Sequence, residues 1–229
     1  MYSIFESWEA ATGAALRIYD PFAYRPALYT RMVPVCLSET LALAERWPVL
    51  WRRDAHGDPD LVVLRGLHPQ HELPEAHGVS RTALPLLVQA FPFRFRDPTA
   101  GGEIGLERGA PMRERDAGSY IISETGELLP GAELKLRALE AWEAERALRH
   151  DVTAAVFRHG LLEPVRLPGD LSARFGLPDF MVVVPHPDDS LIFGAIDPAH
   201  WRLVAQFLAA QRLSLYTMAR LIALTEGAA

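Results

Sequence analysis

The 229-residue chain has one cysteine, one lysine and no asparagine. Each shortage removes a chemistry. Cys36 alone cannot close an internal disulfide, so a disulfide-built secreted scaffold is excluded. Without asparagine there is no N-glycosylation acceptor. A P-loop or Schiff-base lysine would have to be Lys135, which lies in a helical stretch with no glycine-rich loop before it. Basic charge is also short: 23 Lys and Arg against 29 Asp and Glu leave a net charge of −6. The arginines come in small pairs (Arg52/Arg53, Arg94/Arg96, Arg113/Arg115) rather than in a run, which speaks against nucleic-acid binding. A GC-rich genome accounts for the joint loss of lysine and asparagine codons. Long hydrophobic runs are missing too. The uncharged stretch from Thr82 to Phe93 holds two prolines and is too short to span a bilayer. The opening residues carry Glu6 and Glu9 and lack the basic start and apolar run of a targeting segment. The expectation is a cytoplasmic protein without membrane insertion.

What is present points to a fold of mixed type. Residues 1–30, with Tyr19, Phe22, Tyr24 and Tyr29 around Pro21 and Pro26, suggest an irregular arm that packs by its rings. Met32 to Cys36 suggests a strand, and Ser38 an N-cap for a helix that runs to Arg46 and stops at Pro48. Pro48–Trp51 and Leu61–Leu64 are strand-length apolar runs separated by a turn rich in Asp, Gly and Pro. Residues 66–81 and 97–118 read as loops. Ala83–Ala90 suggests a short helix, and the alternation of Phe91, Phe93 and Phe95 with Arg94 and Arg96 a half-buried strand. Tyr120–Ile122 predicts a strand before the Ser-Glu-Thr-Gly-Glu turn.

Residues 132–159 are dominated by helix formers, with Glu133/Arg137 and Glu145/Arg149 at i,i+4 spacing and Gly160 placed to end the helix. Asp151 offers a break. Phe180–Val184 and Leu191–Ile196 suggest a hairpin buried on both faces. Asp197-Pro198 then caps one long C-terminal helix, or two with a joint near Gln211 to Ser214, with Trp201, Val204, Leu208, Leu215, Met218 and Ile222 at core spacing. The sum is an α+β fold, a single domain from residue 30 to 229 after the arm, with short, mostly antiparallel strands, segregated helices and a long C-terminal helical region.

One string resembles a site. MVVVPHPDDSLIFGAI (181–196) is similar to the His-Pro-Asp-Asp-Glu motif of zinc-dependent N-acetylglucosaminyl deacetylases. Carried over, His186 and Asp189 would be zinc ligands and Asp188 the general base, a donor set that suits zinc with an open position for water. Ser190 stands where that family has Glu, and the only later histidine is His200. The same residues are a turn by composition, and the turn is the preferred reading. The histidines His68, His71 and His77, with Glu72 and Glu75, match no metal spacing. His150 and His159 do not share a helix face closely. Cys36 suggests a small buried residue without a base to activate it, and Gly101–Gly105 lacks a dinucleotide-binding context. The tryptophans Trp8, Trp47, Trp51, Trp142 and Trp201 read as core packing. No catalytic set is assigned, and no metal or cofactor.

MVPVCLSETLALAERWPVLW (32–51), LVVLRGL (61–67), ALPLLVQAFPFRF (83–95), SETGE (123–127), HGLLEPVRL (159–167) and the leucine-rich close from Leu213 to Leu224 together resemble the SapC family, over roughly residues 30–225. The family is named for a gene beside S-layer protein secretion genes in some bacteria. The resemblance implies a bacterial export or cell-envelope context and transfers no catalytic residues. The leading expectation is an accessory protein that binds a protein or peptide partner. The alternatives are a metal-dependent hydrolase built on residues 186–189 and a homodimeric structural protein.

Overall fold

The computed structural model of the chain describes residues 4–13, 16–54, 57–68, 83–97, 101–107, 118–183 and 190–226. In chain order the elements are β1 (Phe5–Ser7), α1 (Trp8–Gly13), β2 (Arg17–Ile18), α2 (Arg25–Tyr29), β3 (Met32–Pro34), α3 (Thr40–Ala44), β4 (Val49–Arg53) and β5 (Pro59–Leu64). Then come α4 (Leu86–Ala90), β6 (Phe93–Asp97), β7 (Gly101–Glu107), β8 (Ser119–Tyr120), α5 (Pro130–Ala144) and α6 (Arg146–Arg158). The last are β9 (Leu162–Pro164), α7 (Leu171–Phe175), β10 (Met181–Val183), α8 (Ser190–Gly194) and α9 (Trp201–Glu226). The fold is α+β, its strands antiparallel and its last helix the longest, as the sequence pattern implies. The elements gather into two compact units, residues 1–30 with 72–144 and residues 31–71 with 145–229.

In the first unit, β1, β7 and β6 form an antiparallel sheet in the order β1–β7–β6, and β2 pairs with β8. The first thirty residues, expected to be irregular, therefore carry short regular elements whose backbone groups are satisfied by pairing. Their rings do pack. Tyr24 lies edge-on to Phe91 with centroids 5.1 Å apart, and Trp8 is 5.7 Å from Phe93. The alternation at 93–96 holds: Phe93 and Phe95 are buried while Arg94 and Arg96 face outward to Glu107 and Glu103. Phe91 falls outside the strand, at the end of α4.

The expected loop at 97–118 contains a seven-residue strand, β7, that pairs on both edges. Its glycines have the local signature of a loop. A Cβ at Gly105 would meet the Phe5 ring 2.5 Å away, and one at Gly101 would meet Glu143 Oε1 at the same distance. Gly105 marks close approach within the sheet, whereas Gly101 and Gly102 take positive φ, +72° and +92°, at the start of the strand.

In the second unit, five strands run in the order β3–β5–β4–β10–β9, all antiparallel. The β4–β5 hairpin forms as its turn chemistry predicts. Asp54 Oδ1 accepts from the Asp58 amide, and Arg53 pairs in register with Pro59. Leu50, Leu64, Leu171, Phe175, Phe180, Val182, Met218 and Leu221 pack together as one apolar cluster. This core is built from the sheet, α7 and the C-terminal half of α9.

Three expectations on this unit change. Leu191–Ile196 is not a strand, because residues 190–194 form α8. Within the run only Ile192 and Ile196 are buried, four apart, which is the helical repeat. The partner of β10 is instead β9, with Met181 opposite Pro164 and Val183 opposite Leu162. The helix at 132–159 breaks at Glu145 rather than Asp151, giving α5 and α6. Ser38 is not the N-cap of α3: the helix starts at Thr40 after Glu39, and Thr40 Oγ1 donates to the Leu37 carbonyl at 2.6 Å. Gly160 ends α6 at φ +64°, as expected. α9 is one continuous helix, preceded by a short 3-10 turn in which Asp197 Oδ1 accepts from the Ala199 amide.

Candidate functional site

The turn from β3 into α3 is held by carboxylates. Glu39 Oε1 accepts from the Cys36 amide at 2.7 Å, reaching three residues back as a capping-box glutamate does. Glu145 Oε2, at the break before α6, accepts from the Leu37 and Ser38 amides at 2.9 and 3.2 Å. Arg149 donates to Cys36 Sγ at 3.2 Å. Thus the i,i+4 partners Glu145 and Arg149 both reach the Val-Cys-Leu-Ser turn. Cys36 is fully buried. Burial pushes its thiol well above the ordinary value, the carboxylates of Glu39 and Glu145 push it the same way, and Arg149 opposes them. Only a thiolate attacks or binds metal, so this cluster works as a latch and not as a nucleophilic centre. In the native protein a disulfide reagent such as dithionitrobenzoate at pH 8 is expected to react with Cys36 only at the unfolding rate. Rapid stoichiometric release of the chromophore from folded protein would contradict this.

A second polar feature lies at the centre of the sheet. With Met181 opposite Trp51, the antiparallel register would place Val183 opposite Val49. There α9 intervenes. Ser214 Oγ accepts from the Val49 amide at 2.9 Å, and Gln211 Oε1 from the Val183 amide at 3.2 Å. Ser214 also donates to the Gln211 carbonyl at 2.6 Å. Both side chains are fully buried. They supply acceptors to two strand amides that the opened ladder leaves unpaired, which fixes the helix against the sheet. Trp51, also fully buried, lies edge-on to Phe207, 5.4 Å away and one turn before Gln211.

The free edge of this sheet carries a cleft. Val165 N donates to the Phe180 carbonyl at 2.8 Å, so Pro164, one residue earlier, turns its backbone toward the open side. Proline has no N–H to offer there, and the edge is closed to strand addition. The side chains make a recess instead. A cleft of about 230 Å³ lies between Leu162, Val165 and Leu167 on one side and Pro178 and Met181 on the other, over buried Phe180. Asp179 and Ser172 are its polar groups. Its position is set by α7, which ends at Gly176 in the left-handed region with Leu177 N donating to the Ser172 carbonyl. Arg31 Nη1 pins that end by donating to the Phe175 and Leu67 carbonyls at 2.8 and 2.7 Å.

His186, Asp188 and Asp189 lie outside the described residues, as do His71, His77, Glu72 and Glu75. His68 packs edge-on to Phe175. His150, Asp151, His159 and His200 are exposed. Among the described residues no group of three or more His, Cys, Asp or Glu side chains is arranged to hold a metal ion. Trp47, Trp51 and Trp142 are core residues, whereas Trp201 is half exposed, held by its Nε1–H donating to the Phe193 and Ile196 carbonyls. Among the described residues no helix is long and apolar enough to cross a membrane.

No curated protein and no solved structure matches the chain. The model of the SapC family matches residues 12–186, three quarters of its length and a span that includes the carboxylate latch and the cleft. The chain belongs to the SapC family.

Proposed function

We propose that this protein is an accessory factor that binds a protein or peptide partner, acting from the cytoplasm in bacterial secretion or a neighbouring modification pathway. The cleft beside β9 carries the reading. Its lining side chains are mostly apolar, and it is of a size for one or two side chains. Pro164 blocks main-chain pairing at this edge, so an occupant is recognised by its side chains, with Asp179 at hand for a donor. The secretion context rests on the family, and the thiol latch supplies no competing chemistry.

A phage-displayed library of random 12-residue peptides, selected on the full chain, tests this. Clones sharing an apolar anchor are expected to enrich on the wild type and to lose binding to Val165→Glu and Met181→Glu variants that retain the native circular dichroism spectrum. Both residues line the cleft and are partly buried, and Val165 also packs against the core cluster, so the retained spectrum is the control that the fold survives the carboxylate. Selection that yields the same clones on wild type and both variants, or none, would reject the cleft as the binding site.

A further inference from the structure

The outward half of α9 is not an ordinary solvent face. Trp201, Leu213, Tyr216 and Leu224 are 45, 60, 80 and 55% exposed. With exposed Ala205, Ala209 and Ala223 they fall within a sector of about 140° at 100° per residue. From Trp201 to Thr225 the helix has no acidic residue, in a chain whose net charge is −6. Its charges are Arg202, Arg212 and Arg220, and the exposed Arg202 and Arg220 make no ion pair among the described residues. Trp, Tyr and Arg without Lys, Asp or Glu is the composition of an interface core. Trp201 is already anchored by two carbonyls and by the Phe193 ring, 6.1 Å away edge-on, so docking would cost its side chain little rotamer freedom. The alanines at 205 and 209 leave a shallow track between Trp201 and Leu213 into which side chains of another helix can settle.

We propose that the outward face of α9 docks an amphipathic helix bearing acidic side chains, contributed by a partner protein. The charge pattern selects this occupant. Two copies of α9 paired antiparallel about Leu213 would place Arg202 of each within about one helical turn of Arg220 of the other, where like charges repel. A partner's carboxylates would instead pair with both arginines. This surface is separate from the cleft beside β9 and stands independently of it.

The test uses the full chain and two fluorescein-labelled synthetic peptides. Both carry the same i, i+3, i+4, i+7 leucine stripe, one flanked by glutamates and the other by lysines. Fluorescence anisotropy is expected to show the glutamate peptide binding about tenfold tighter than the lysine peptide, which is the scale of two exposed charge pairs. Arg202→Glu/Arg220→Glu should reverse that order, and Leu213→Glu/Tyr216→Glu should weaken the glutamate peptide by about tenfold or more, each with an unchanged circular dichroism spectrum. Val165→Glu in the cleft should leave the peptide affinity as it is, so failure here and failure of the cleft reading are distinguishable. Equal affinity for the two peptides overturns the proposal. So does adsorption to phosphatidylglycerol vesicles without peptide binding, which assigns the face to lipid. A dimer in sedimentation velocity that Leu213→Glu dissociates also overturns it, assigning the face to a second copy.

Discussion

Replacing Ser214 by alanine is expected to lower stability by about 2 kcal/mol, more than replacing the larger Gln211 by leucine. Both side chains accept from a strand amide in the fully buried interior, Val49 for Ser214 and Val183 for Gln211. Removing either acceptor leaves a buried N–H without a partner, at a cost of about 1–3 kcal/mol. The two sites differ in what else they lose. Ser214 Oγ is satisfied in both roles, accepting from Val49 and donating to the Gln211 carbonyl. Gln211 Nε2 is buried with no acceptor among the described residues, so leucine removes an unsatisfied donor as it removes the acceptor. Those effects partly cancel, and a change of about 1 kcal/mol remains. Urea unfolding gives the two stabilities, and amide exchange at Val49 and Val183 reports each lost bond at its own strand. Equal protection at Val49 in wild type and Ser214→Ala would show that the ladder does not depend on the helix.

This junction also marks how far sequence carries the argument. The periodicity of α9 was legible because its buried positions recur at three- and four-residue steps. Its sheet-facing polar pair was visible only as a joint near Gln211 to Ser214, because nothing local distinguishes a polar residue that breaks a helix from one that feeds an opened sheet. The β4–β5 hairpin was legible because Asp, Gly and Pro specify a turn by backbone chemistry alone. β7 was hidden because Gly101, Gly102 and Gly105 have the same local signature in a loop as in a strand. The reason for Gly105 is β1, about a hundred residues away in sequence, where a Cβ would meet the Glu6 carbonyl and, at 2.5 Å, the Phe5 ring. β9, Leu-Glu-Pro, is too short to show a strand pattern and is defined by its pairing with β10. Glu145 is a helix former in the middle of helix formers, and its helix breaks where its carboxylate takes two distant amides. The latch and the cleft were therefore unreadable, since both are assembled from segments over a hundred residues apart or from an edge that only topology defines.

The one lysine offers the clearest electrostatic test. Lys135 on α5 is buried, and its Nζ donates to the Phe91 carbonyl at 2.5 Å and the Gln89 carbonyl at 3.4 Å, closing the C-terminal end of α4. Burial lowers its pKa from 10.5 to about 8, against the weaker pull of Asp20, which favours the charged form. Because the folded value lies below the unfolded one, both states are protonated below pH 8 and the folded protein bears the cost of a buried ammonium. Between about pH 8 and 10.5 the unfolded chain holds the proton more tightly, so this contribution to stability rises with pH. It levels off above 10.5, after a gain on the order of 3 kcal/mol. Cys36 and Tyr24 act in the opposite direction. Their folded values are raised, by burial in both cases, so their contribution is complete below the ordinary thiol and phenol range and is lost as pH climbs through it. The wild-type curve mixes the three, and the comparison with Lys135→Met isolates the lysine. The methionine variant is expected to gain on the wild type at pH 7, where it relieves the buried charge, and to fall behind near pH 10.5, where the neutral amine still donates to Phe91. Being the only lysine, its side-chain ¹³Cε resonance needs no assignment, and it should titrate near pH 8. A midpoint above pH 10 would show that the two carbonyls and Asp20 outweigh burial, and the stability curves of the two proteins would then run parallel.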